Sequence, residues 1–64
     1  MLVKTNEIYK NRISGKTVQV LCVDKVFPSF SKNAYYLLVW FQDKEIGENH
    51  CVLEFDFVKE YEEC

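Results

Sequence analysis

Few residues in this 64-residue chain carry reactive chemistry: one histidine, His50, and three cysteines, Cys22, Cys51 and Cys64. A thiol nucleophile needs an imidazole within hydrogen-bond reach. His50 and Cys51 fail that test, because neighbours on a strand point to opposite faces. Whether Cys22 or Cys64 could meet His50 depends on the fold alone. Tetrahedral metal sites draw on closely spaced Cys and His pairs, and His50, Cys51 and Cys64 have no such spacing. The carboxylate neighbours Glu54/Asp56 and Glu62/Glu63 read as solvated charge in a chain too short to wall a cleft around them. Gly15 and Gly47 stand alone, so neither opens a glycine-rich phosphate loop. The expectation is a protein that is not an enzyme and uses no cofactor and no metal.

Binding chemistry is better represented. Lys4, Lys10, Arg12 and Lys16 surround Tyr9 in sequence, the mixture of cations and a stacking ring that single-strand binders use. The chain as a whole is acidic, with net charge −2 and pI about 5.2, whereas nucleic-acid binders are typically basic. Residues 1–32 carry six basic and two acidic residues, and residues 33–64 carry two basic and eight acidic. An acidic half containing Glu45, Glu48, Glu54, Asp56, Glu60, Glu62 and Glu63 could mimic nucleic acid before a basic groove. The plainer reading is an ordinary charged surface whose halves interleave in space. Protein recognition ranks first, because ten aromatic residues exceed what so small a core holds. Exposed Tyr, Phe and Arg are typical interface anchors. The expected partner-binding residues are Tyr9, Lys10, Arg12, Phe30, Tyr35, Glu60, Tyr61, Glu62 and Glu63, with Tyr36 an alternative to Tyr35.

These residues sit on short strands divided by turns. The run Ala34–Asp43, AYYLLVWFQD, is apolar on both alternating faces, which places it inside a sheet or barrel. Before it come a brief strand over Glu7–Asn11, a tight turn at Ser14-Gly15-Lys16 and a β-branched strand over Thr17–Phe27. Val18, Val20 and Cys22 form the expected inner set, with a bulge near Cys22–Asp24 where the alternation breaks. Pro28–Asn33 reads as a loop bearing an exposed Phe30. Lys44–Asn49 reads as a hairpin connection, and His50–Phe55 as a strand with Cys51, Leu53 and Phe55 inward. Asp56–Glu63 reads as a helical turn capped by Asp56, with Phe57 and Tyr61 four apart on one side. Glu60, Glu62 and Glu63 lie at the negative end of its dipole, so it frays unless those rings dock.

Length and composition agree with one domain over 1–64. About 60% of the unfolded surface is buried at this size. Aromatic rings, each removing about 150–250 Å² from water, supply much of that core. Cysteines in odd number without CxxC spacing imply free thiols and a reducing, cytoplasmic setting. Charges within Met1–Arg12 argue against a signal peptide, and no apolar run is long enough to span a bilayer. Monomer and small homo-oligomer are both compatible with these features.

The pattern describes an all-β fold: a small SH3-like five-stranded antiparallel barrel closed by a short C-terminal helical turn. Ile8-Tyr9-Lys10-Asn11-Arg12, Gly15-Lys16, Val18-x-Val20, Val39-Trp40-Phe41 and Phe57-x-x-x-Tyr61 resemble the small SH3-like domains encoded by phages and bacteria. The likeness runs from Glu7 to Tyr61 as a pattern of strand and turn positions. It implies the barrel and a phage-like origin, and assigns no activity. It gives the protein-binding reading one concrete form, an inhibitor of a bacterial host enzyme or defence protein.

Overall fold

The computed structural model describes residues 3–30 and 32–64. Strands β1 (Ile8–Asn11), β2 (Thr17–Val26), β3 (Tyr36–Asp43) and β4 (Asn49–Leu53) precede helix α1 (Glu54–Glu60) and strand β5 (Tyr61–Glu63). All pairings are antiparallel, in the order β4-β3-β2-β1-β5. The all-β expectation holds. Closure into a barrel is not observed, because no ladder among the described residues joins β4 to β5.

The sheet is nevertheless strongly curled. Tyr61 on β5 and Phe41 on β3 lie three strand positions apart, about 14 Å in a flat sheet. Their ring centroids are 5.4 Å apart. Phe57 of α1 fills the concavity, meeting Tyr9 edge-on at 5.3 Å, Phe41 at 5.3 Å and Tyr61 face-on at 4.7 Å. Val3, Val18, Val20 and Val39 with Tyr9, Phe41 and Phe57 make the core, and Val23, Val52, Val58 and Tyr61 pack around it.

Two hairpin turns are built alike. The Asn11 side-chain oxygen accepts the N–H groups of Ile13 and Ser14, and the Asp43 carboxylate accepts those of Glu45 and Ile46. Four residues after each stands a glycine with positive φ, Gly15 at 77° and Gly47 at 72°, donating to the Asn11 or Asp43 carbonyl. Other side chains are strained at that φ.

A register shift between Val20 and Cys22 is the bulge expected one step further on. The extra residue keeps Val18 and Val20 inward but turns Cys22 out, so Cys22 does not join the core. On β4 the expected faces are reversed. Val52 packs against the core, whereas Cys51 and Leu53 lie opposite Trp40 and Leu38 on the outer face. The cause is pairing with β3, where Val39 and Phe41 are the inward residues. Trp40, which the doubly apolar run would bury, is 39% exposed.

Helix α1 begins two residues before Asp56, with Leu53 at the N-cap and no side-chain cap. Glu54 and Asp56 fall in its first turn, where carboxylates complement the helix dipole. The expected fraying end is not helical: the chain extends at Tyr61 and pairs with β1 as β5.

Candidate functional site

The expected partner-binding residues separate into a charged edge, a buried pair of rings and an aromatic arm. Tyr9 is fully buried rather than exposed; its hydroxyl accepts the Lys4 backbone N–H at 2.9 Å. Tyr61 is half-buried against Phe57 and Phe41. Phe57 and Tyr61, four apart in sequence, dock together and close the core.

At the β1–β5 edge the charges neutralise one another. Lys10 stands opposite Glu62, and an Arg12 guanidinium nitrogen lies 3.7 Å from the Glu62 carboxylate, while another lies 3.3 Å from the Val58 carbonyl. The Arg12 backbone N–H also donates to the Glu60 carbonyl at 2.8 Å, and Glu63 pairs with Tyr9. Antiparallel pairing of the first strand with the last thus folds the basic half onto the acidic half. The two halves interleave at this edge.

The reactive residues do not converge on one face. His50 lies on the inward side of β4, its ring 5.4 Å from Phe41 and its Nε2 3.6 Å from Glu48. Cys22 and Cys51 flank Trp40 on the opposite face. Cys64 lies at the β1–β5 end, where its N–H reaches the Ile8 carbonyl at 3.5 Å. The Cys22 thiol pKa is raised, by partial desolvation first and then by the charges of Asp24 and Cys51, which suits an unreactive thiol. Among the described residues no group of three or more His, Cys, Asp or Glu side chains is placed to hold a metal ion.

The third group is apolar and open. Beyond the bulge, β2 and β3 run on through the Val23–Val39 pair at the core into an arm, and the molecule's extents are 38 × 21 × 17 Å. Its Cα radius of gyration is 12.4 Å, against about 11 Å for a compact domain of this length. On the arm and the adjoining β4–α1 corner, Phe27, Phe30, Tyr35, Tyr36, Trp40, Leu53 and Phe55 are all exposed. Phe27 and Tyr35 lie against each other with centroids 5.6 Å apart, and Lys25 caps the Tyr35 ring at 4.4 Å. Pairing of β3 with β4 ends at Leu38 and Leu53. A cleft of about 400 Å³ opens there, lined by Tyr35, Tyr36, Leu37, Leu53, Glu54 and Phe55.

Of the expected residues, Phe30 and Tyr35 belong to this surface. Sequence alternation places Trp40, Leu53 and Phe55 in the core and so misses their exposure. Compared with known proteins, the chain matches no family model, no curated protein and no solved structure.

Proposed function

We propose that the chain is a non-catalytic protein-binding module whose recognition surface is the exposed aromatic surface of the β2–β3 arm and the β4–α1 corner. One observation carries this reading. Phe27, Tyr35, Tyr36, Trp40 and Phe55 are between 39% and 67% exposed. Tyr36 and Trp40 face the outer side of the arm, and Tyr35, with Phe27 against it, faces the other. At about 150–250 Å² per ring the five leave on the order of 500 Å² of aromatic surface in water, divided between the two sides. Aromatic rings left this open on a small protein commonly mark interaction sites. The cleft between Tyr36 and Phe55 adds the concavity that receives an anchoring side chain.

The curled strand order with α1 between β4 and β5 supports reading the sheet as an SH3-like barrel. Likeness to phage and bacterial SH3-like domains extends the proposal to an inhibitor of a bacterial enzyme or defence protein, acting in the cytoplasm. Among the described residues no helix is long and apolar enough to cross a membrane. A nucleic-acid role, direct or by acidic mimicry, is the competing proposal; burial of Tyr9 and pairing of Arg12 with Glu62 weaken its direct form.

The test is capture from nuclease-treated bacterial lysate by the wild-type chain and by a Tyr36→Ser/Phe55→Ser variant with an unchanged circular dichroism spectrum. A protein held by the first and lost by the second is the expected result. Equal retention by both, or, in a parallel capture from untreated lysate, recovery of nucleic acid alone, sinks the proposal.

A further inference from the structure

On the side of β2, β3 and β4 away from Val39 and Phe41, the register aligns three rows across the arm. They are Val26–Tyr36, Asp24–Leu38–Leu53 and Cys22–Trp40–Cys51, followed by a polar row of Gln19–Gln42–Asn49. Among these register positions Asp24 alone is charged. Its Oδ2 accepts the Trp40 indole N–H at 2.9 Å, so the ring can be covered without stranding its donor. The neutral indole N–H brings no counter-charge, so any surface that covers the carboxylate must supply a cation or bear the cost of burying it unpaired.

That single charge discriminates between occupants. A second copy docked through a two-fold axis at the centre of this face presents the same patch to itself. Rotation about β3 carries the Asp24 carboxylate of one copy over β4 of the other, onto Cys51 and Leu53, with no cation there to pair it. A different protein carrying a Lys or Arg meets no such conflict.

We infer that this face receives an apolar segment of another protein, with a Lys or Arg pairing Asp24 and a neighbouring apolar side chain filling the Leu53–Phe55 cleft. The inference rests on the protein-binding reading and specifies the partner's chemistry. Asp24 and Leu53 stand in one row two strand spacings apart, about 10 Å. In an extended segment rising about 3.3 Å per residue, the cation and the apolar anchor therefore lie about two to four residues apart.

Selection of a random dodecapeptide display library on the immobilised full chain tests this, run in parallel on Asp24→Asn. The asparagine still offers an oxygen to Trp40 but removes the charge. Wild type is expected to enrich peptides with Lys or Arg two to four residues from an aromatic or aliphatic residue. The best of them should bind Asp24→Asn at least tenfold more weakly, and Phe55→Ser should lose the apolar preference. Enrichment of apolar peptides without a base, or equal binding by Asp24→Asn, overturns the cation pairing while leaving the protein-binding reading intact. Failure to enrich any peptide overturns the inference, and the lysate capture then decides the wider reading separately. Elution of the chain as a dimer with blue-shifted Trp40 emission also overturns it, since a second copy would then cover the face.

Discussion

Phe57 and Tyr61 stack almost face to face, 4.7 Å between centroids and 14° between planes, although one belongs to α1 and the other to β5. The contact fixes the angle at which the chain leaves the helix and returns to pair with β1. Tyr9 and Phe41 close the same cluster from the sheet.

Phe57→Ala should therefore cost about 3–5 kcal/mol, the usual penalty for emptying a buried aromatic site. That is comparable to the whole stability of a domain this size, about 3–10 kcal/mol. Urea unfolding followed by far-ultraviolet circular dichroism should find the variant largely unfolded before denaturant is added.

Trp40→Ala should be far milder. The ring is 39% exposed on the outer face, so a loss on the order of 1 kcal/mol is expected. A shift in the urea midpoint as large as that of Phe57→Ala would show that this face is buried in solution.

Glycine geometry gives a third expectation. Gly15→Ala and Gly47→Ala meet no steric obstacle, since no neighbouring atom lies within 4 Å of where the new methyl group would stand, but both force alanine into positive φ. Each should cost about 1 kcal/mol, and thermal melts of the two variants should match, because the turns share one design.

Thiol reactivity tests the outer face. The Cys22 pKa is raised by partial desolvation, then by Asp24 and Cys51, so its thiolate is scarcer at neutral pH than that of an ordinary thiol. Iodoacetamide should label Cys22 more slowly than Cys64 at pH about 7.5, and Asp24→Asn should speed Cys22 alone. An unchanged Cys22 rate in Asp24→Asn, read by peptide mass spectrometry, would remove Asp24 from the neighbourhood of that thiol.

The charge split has a modest expected effect. Arg12 and Glu62 are both about half exposed, so Arg12→Ala should cost about 0–1 kcal/mol, less at high salt. Melting temperatures at low and high ionic strength check this.

Local chemistry sufficed for much of the architecture. Asn11 with Gly15 and Asp43 with Gly47 specify two tight hairpins from within five residues each, and β-branched alternation marks β2. The bulge is legible because Leu21, Val23 and Val26 break the period of Val18 and Val20. The Asx-to-glycine spacing that both turns share is also present in the sequence, although alternation alone does not reveal it. Which face of each strand is buried could not be decided locally. In Ala34–Asp43 both faces are apolar, and only the short helix α1, landing on the Val39–Phe41 side, makes one of them core. That choice set Val52 inward and Cys51 outward on β4 through register, and left Trp40, Leu53 and Phe55 in water. Tyr9 was hidden for the same reason: a tyrosine beside lysine and arginine looks like surface until β5 and α1 close over it. Strand pairing between residues more than fifty apart in sequence, Tyr9 with Glu63 among them, merged the two charged halves. Burial is a property of what packs across the sheet, and in this chain the packing partner arrives last.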